Sequence, residues 1–337
     1  MLPHLATVAL PLKKQACYTP LHSYTHKNFV GRRMKKITKK NNQPLISVIM
    51  PVYNAGDFLV EAIESILNQT YQNFEFIIID DNSSDDSWQI LKKYKKIDQR
   101  VKIYKNKNHL GVSNTMKKAI KKAKGTFLAR MDADDVSSPQ RLEKQLIFLI
   151  KNPKNVACGT QCYIINKNSK IIGEKKFPIS FEEIYKYIFI FAPLQQPTLM
   201  INRKLLPKDF TYYQDGMNTA EEIELIFKLF QFGKITNLKE KLLYYRLHDK
   251  NTSLVDPKKT FLLTLYSRIK AVLFYHYRPT IKGLIYNIIQ TFAILFLPKK
   301  FIVDLYQIVR KLKYKKTSFK SDYRRTLKLG FLGKLNN

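Results

Sequence analysis

Arg130-Met131-Asp132-Ala133-Asp134-Asp135 follows directly on the apolar run Thr126-Phe127-Leu128-Ala129. Three carboxylates thus crowd the carboxyl end of a predicted strand. In an open α/β sheet that end is where ligands bind. Carboxylates packed this closely repel each other unless a cation sits among them. A divalent metal is the usual answer, and Mg²⁺ is typically held by one or two carboxylates plus substrate phosphates. The alternative is an acidic loop that caps the helix opened by Ser138-Pro139, through Asp134 or Asp135.

Upstream of this stretch the chain alternates strands with helices. Leu45 to Met50 reads as a buried strand ended by Pro51, and Val52-Tyr53-Asn54-Ala55-Gly56 leads to Asp57, a predicted N-cap. Leu59, Ala62, Ile63, Ile66 and Leu67 repeat at helical spacing. Phe74 to Ile79 is a second strand, closing on Asp80-Asp81-Asn82-Ser83-Ser84. A helix with Ile90, Leu91, Tyr94 and Ile97 on one face, a short strand Val101 to Tyr104, and a helix ended by Gly125 complete the series. This alternation predicts a mostly parallel sheet with helices on both faces. The loops Pro51 to Asn54, Asp80 to Ser84 and Asp132 to Asp135 then collect on one edge. None of the glycines has G-x-G-x-x-G or G-x-x-x-x-G-K spacing, so acidic loops rather than a backbone phosphate cradle form the site.

Downstream, Val156 to Ile165 and Lys170-Ile171-Ile172 predict a hairpin-like extension of the sheet. Phe181 to Phe191 reads as helical, Thr198 to Ile201 as a strand, and Thr219-Ala220-Glu221-Glu222 opens a helix ended by Gly233. Ile235 to Leu238 and Leu242 to Arg246 are predicted short strands, followed by His248. Cys158 and Cys162 lie in an apolar run, where buried thiols are expected rather than a metal site.

These residues resemble glycosyltransferase family 2, enzymes of the GT-A fold. The matching stretches are SVIMPVYN (47–54), SILNQTY (65–71), FEFIIIDDNSSD (74–85), LARMDADDVSSPQRLEKQ (128–145), AEEIELIFKL (220–229) and LLYYRLH (242–248). They run in the family's order over residues 45–250, and linked motifs carry the match where a lone D-x-D would not. The resemblance implies a nucleotide-sugar site in which Pro51 and Tyr53 flank the nucleobase with Asn54 beside them. Asp81 meets the base edge next to Asp80, and Asp132 touches ribose or sugar. Arg130 either contacts phosphate or neutralises the acidic cluster. The same resemblance places Mn²⁺ or Mg²⁺ on Asp134, with His248 approaching metal or diphosphate, and gives the general base to Glu222, with Glu221 as its alternate. Departures are Glu222 where the family has Asp, Lys117 where Asn is common, and Gln196 where His often precedes Pro-Thr. The implied reaction is inverting transfer of one sugar, UDP-linked, to a surface glycan or lipid-linked oligosaccharide such as lipopolysaccharide or capsule. A processive polysaccharide synthase carries Gln-x-x-Arg-Trp, whereas the single tryptophan here is Trp88.

Charge bounds the partners. The chain of 337 residues carries a net charge of +33, which suggests a polyanionic neighbour. A basic nucleic-acid-binding protein is the competing class, but no basic-aromatic motif, helix-turn-helix or zinc spacing supports it. Beyond Pro257 eighteen Lys and Arg face only Asp304 and Asp322. Residues 256–337 therefore read as a basic helical tail, either packed on the catalytic domain or lying on an anionic inner membrane leaflet. No stretch reaches the roughly 20 apolar residues of a span; the family resemblance implies a cytoplasmic location, peripheral to that membrane. Domain bounds are expected at 1–43, a disordered extension with Met34 the native start, then 44–150 for nucleotide, 151–255 for acceptor, and 256–337.

Overall fold

β-Branched and aromatic runs bounded by turn residues form the strands, and period-3.6 stretches between them form the helices. The computed structural model of the protein describes residues 43–215, 220–248, 257–296 and 313–314. The expectations for residues 1–42, including the start at Met34, and for most of 297–337 lie outside them.

The first half builds β1 (Ile46–Val52), α1 (Gly56–Leu67), β2 (Phe74–Asp80), α2 (Ser87–Ile97), β3 (Val101–Lys105), α3 (Val112–Lys122) and β4 (Phe127–Arg130). These strands pair in parallel in the order β4-β1-β2-β3. Val48, Met50 and Val52 on β1 join one apolar cluster with α1 residues and with Leu142, Leu146 and Leu149, while Ile49 joins a second with Met116, Ala119 and Ile120 of α3. Alternate residues thus feed cores on opposite faces, as a sheet covered on both sides requires. Helix α1 starts at Gly56, so Asp57 stands in its first turn rather than at the cap. Its charge suits the helix N-terminus there as well.

The second half turns the ten-stranded sheet mixed. It comprises β5 (Val136–Ser137), α4 (Arg141–Lys151), β6 (Asn155–Ile165), β7 (Ile171–Lys175), α5 (Phe181–Tyr187), β8 (Met200–Asn202), α6 (Glu221–Leu229) and β9 (Lys234–Arg246). Strand β6 runs antiparallel to β7 and β8 and parallel to β9, and β8 pairs antiparallel with β4. The expected hairpin is β6–β7. The two short strands expected at 235–246 are one, β9, because bulges in its pairing with β6 absorb the polar break. Helix α5 stops at Tyr187, short of the expected Phe191. Then come α7 (Pro257–Phe274), α8 (Ile281–Phe296) and β10 (Lys313–Tyr314).

Two pairings aim the functional loops. Strand β5 begins one residue after Asp135 and pairs with the end of β9, Val136 opposite Tyr244. That carries Arg246 and His248 to the acidic loop. Strand β4 carries the acidic loop at the sheet's centre, beside β1.

Candidate active site

The first two loops are bonded to each other. The Asn54 N–H donates to Ser83 Oγ at 3.0 Å, and Asn54 Oδ1 accepts the Ser84 N–H at 2.9 Å. Asn54 and Asn82 both take positive φ, 49° and 63°, conformations that asparagine tolerates better than most residues. Pro51 ends up partly buried in β1. Tyr53 stands half exposed, its ring 4.0 Å from that of His109.

Asp80 is buried, with Oδ2 accepting the Ser83 N–H at 3.2 Å and Oδ1 left without a hydrogen-bond partner. Asp81 is buried too and closely held. Its oxygens accept Asn106 Nδ2 at 2.7 Å, the Leu110 N–H at 2.9 Å and the Gly111 N–H at 2.8 Å, with His109 Nδ1 at 3.0 Å. Gly111 has φ 80°, a conformation that glycine adopts without strain and that turns its N–H to the carboxylate.

Arg130 joins the acidic loop to α6. Only 6% of its side chain is exposed; Nε donates to Asp132 Oδ1 at 3.0 Å and Nη1 to Glu221 Oε1 at 3.3 Å. Burial opposes its charge, but Asp132, Tyr213 and Glu221 outweigh that and raise its affinity for the proton. Arg130 thus pairs with one carboxylate of the acidic loop and one of α6. Loss of water raises the Asp132 carboxyl above its ordinary value; Arg130 opposes this, and Asp134 and Glu221 add to it. Asp135 faces inward, accepting the Arg246 N–H at 2.9 Å. Burial pushes it well up, and Asp134 and Asp132 reinforce the rise.

Asp134 points the other way. Its Oδ2 lies 2.9 Å from His248 Nε2, and the imidazole packs 4.9 Å from the Phe58 ring. Arg246 is buried behind this pair, donating from Nε to the Asp134 carbonyl at 2.7 Å and pairing with Glu61. A carboxylate and an imidazole form a donor pair that suits a divalent ion whose other ligands are diphosphate and water. Among the described residues no group of three or more His, Cys, Asp or Glu is arranged to hold a metal alone.

The two glutamates of α6 separate. Glu221 is buried and accepts Gln196 Nε2 at 2.9 Å besides Arg130. Glu222 is partly exposed. Lys117 pairs with Asp215 at the surface. Tyr213, Arg141 and His109 are supports that the sequence alone did not single out. Tyr213 is buried beside Arg130, and burial pushes its hydroxyl up to about 12. Arg141 is fully buried, donating to the carbonyls of Arg130 and Pro197, and burial lowers it to about 10. Arg141 lies inside the quoted 128–145 stretch, but nothing in the order of residues marks Tyr213 or His109. The cysteines fit their expectation: Cys158 and Cys162 are buried free thiols, and burial raises Cys158 to about 12.

The family model described as Glycosyl transferase family 2 matches residues 47–210. An uncharacterized glycosyltransferase of Haemophilus influenzae is 43% identical over 241 residues, which cover 67% of this chain and 96% of the relative. The chain belongs to glycosyl transferase family 2. The O-antigen biosynthesis glycosyltransferase WbnJ of Escherichia coli is 38% identical over 215 residues, 62% of this chain and 82% of WbnJ. Among solved structures, S. aureus TarS 1-349 in complex with UDP-GlcNAc matches with a TM-score of 0.56 at 19% identity, over 76% of this chain and 72% of that one. The TarS complex with UDP gives 0.52 at 20% identity, over 66% of this chain and 64% of that one. The likeness shows the GT-A fold for this family 2 chain.

Proposed function

We propose that the chain is an inverting glycosyltransferase that moves one sugar from a nucleoside-diphosphate sugar, UDP-linked, to a hydroxyl of a surface glycan or lipid-linked oligosaccharide. The observation that carries this reading is Arg130. It ties Asp132 of the acidic loop to Glu221 at the head of α6, so donor-side and acceptor-side groups share one charge-balanced site. WbnJ is an O-antigen biosynthesis glycosyltransferase, which supports a glycan acceptor.

In this reading Tyr53 offers its exposed ring to the base, and Pro51, Asn54, Asp80 and Asp81 shape the pocket around it. Asp132, oriented by Arg130, meets the ribose or sugar. Glu222 takes the proton of the acceptor hydroxyl while that oxygen bonds to the anomeric carbon. The bond from anomeric carbon to phosphate oxygen breaks, and its electron pair leaves with the diphosphate. Attack opposite the leaving group inverts the centre. Glu221, held by Arg130 and Gln196, fixes the start of α6 so that Glu222 faces the acceptor. Mn²⁺ or Mg²⁺ would be held by Asp134 and His248, where its chemistry is Lewis-acid stabilisation of the diphosphate charge. The enzyme works at the cytoplasmic face of an anionic membrane, a location supported by the eighteen basic residues beyond Pro257.

The test is a thermal-shift screen of UDP-, GDP- and dTDP-sugars with and without Mn²⁺. A ligand bound only by the native state raises the melting temperature by mass action. The expected result is a metal-dependent rise with a UDP-sugar. No shift with any donor, and no nucleotide release in its presence, overturns the reading.

A further inference from the structure

Helix α8 wears its amphipathic pattern inside out, and α7 leaves a row of apolar residues exposed. The face of α8 turned to the protein carries Gly283, Asn287, Gln290 and Ile294, spaced as one helical stripe. The opposite face carries Ile281, Ile285, Ile288, Ile289, Phe292 and Phe296, from 50% to 78% exposed. On α7, Ser267, Arg268 and Ala271 are buried, while Leu262, Tyr266, Ile269 and Leu273 are at least half exposed. A surface helix in water turns its apolar stripe inward and its polar residues out.

The inward polar groups are bonded to one another and to the domain. Arg268 Nη1 donates to Asn287 Oδ1 at 2.8 Å and Gln290 Oε1 at 3.2 Å. Asn287 Nδ2 donates to the carbonyls of Phe189 and Gly283, and Gln290 Nε2 to that of Ile190 at 3.3 Å. Gly283 lets α8 approach, since a Cβ there would stand 3.3 Å from Phe189 Cδ1. Polar groups thus fasten the pair to the chain after α5, and hydrocarbon is left outside. Apolar patches this extensive mark interaction surfaces, and polar-in, apolar-out is the arrangement that a hydrocarbon neighbour demands.

Charge selects the occupant. No acidic residue occurs between Asp256 and Asp304, and Lys258, Lys259, Arg278 and Lys282 are exposed near the helix ends. A second copy would set these charges against their like; anionic lipid sets phosphates against them. The 16 residues of α8 reach about 24 Å at ~1.5 Å each, less than the ~30 Å hydrocarbon core. Among the described residues no helix is long and apolar enough to cross a membrane. We infer that the apolar face of α7 and α8 lies flat in the interface of an anionic bilayer. Ile285, Ile289 and Phe292 enter the acyl region, and the flanking Lys and Arg meet headgroups. This deepens the membrane location proposed above, and rests on it, by naming the surface that makes the contact.

The test is co-sedimentation of the full chain with vesicles of phosphatidylcholine alone or mixed with phosphatidylglycerol. Wild type is expected to bind the mixed vesicles and to bind the neutral ones weakly. Ile285→Glu with Ile289→Glu should lower partitioning to mixed vesicles by more than about tenfold, since that corresponds to only ~1.4 kcal/mol of lost insertion. Ile281→Glu, on the same face, should lower it less, and Ile97→Glu at the end of α2 should leave it unchanged. Equal binding by the double variant, or no binding by wild type, overturns the inference. So does a wild-type dimer that the double variant dissociates without vesicles, which would give the face to a second copy. Thermal shift by UDP on the same preparations separates the two readings. If wild type binds vesicles and shows no UDP shift, the donor assignment fails and the membrane surface stands.

Discussion

Asp134 and Asp135 are neighbours in sequence that the fold places in opposite surroundings. Asp135 is buried against the Arg246 amide, while Asp134 reaches His248. Asp134→Ala is therefore expected to abolish metal-dependent transfer and to change the melting temperature little, because a partly exposed loop carboxylate contributes little to stability. Wild-type activity that survives full chelation by EDTA would contradict this. The two glutamates of α6 make a second pair. Glu222→Gln should lower kcat by about 10²–10⁴, the usual contribution of a general base, and leave donor affinity nearly unchanged. Glu221→Gln removes the charge that balances buried Arg130 and should cost about 1–3 kcal/mol in urea denaturation. An active Glu222→Gln beside a stable but dead Glu221→Gln would show that the base is Glu221.

Helix α6 is also where the tail is fastened. Glu224 Oε1 accepts Tyr275 Oη at 2.6 Å and Lys270 Nζ at 2.9 Å, and Lys228 lies 3.2 Å away. Burial opposes its charge, but these donors outweigh burial and hold the carboxyl below its ordinary value. A depressed carboxyl stabilises the fold fully above its unfolded value, and that stability is lost as pH falls through the folded value. Glu224→Gln should thus lower stability by about 1–3 kcal/mol at neutral pH. The gap from wild type should close as pH falls below the ordinary carboxylate range. Melting curves across that range check it, and a gap independent of pH would contradict it. The joint also means that any surface on α7 is mechanically tied to the helix bearing Glu221 and Glu222.

Helices α7 and α8 pack on the domain through one side and leave apolar residues exposed on the other. Ala271 and Tyr277 belong to the second apolar core, with Ile226 and Phe227 of α6. A chain ended near Val255 is therefore expected to lose stability, by about 3–5 kcal/mol for a buried aromatic alone. It should melt lower than the full chain by differential scanning calorimetry, so surface substitutions test membrane binding more cleanly than truncation does. An unchanged melting temperature would mean that the tail adds nothing to the core.

The period of the apolar residues was enough to place the parallel half, since a βα alternation leaves few ways to bury both faces of a sheet. The acidic loop, the adjacent Glu221 and Glu222 and the motif order were legible for the same reason: short-range patterns carry them. The mixed second half was less so, because antiparallel and parallel partners of β6 are chosen by contacts far apart in the chain. What only tertiary structure decided is the surroundings that each neighbour meets. Burial against Arg130 and Gln196 separates Glu221 from Glu222, the β5–β9 pairing delivers His248 to Asp134, and the Arg268–Asn287–Gln290 bonds turn the apolar faces of α7 and α8 outward. Each depends on the environment that a side chain meets after folding, and the order of residues does not state that environment.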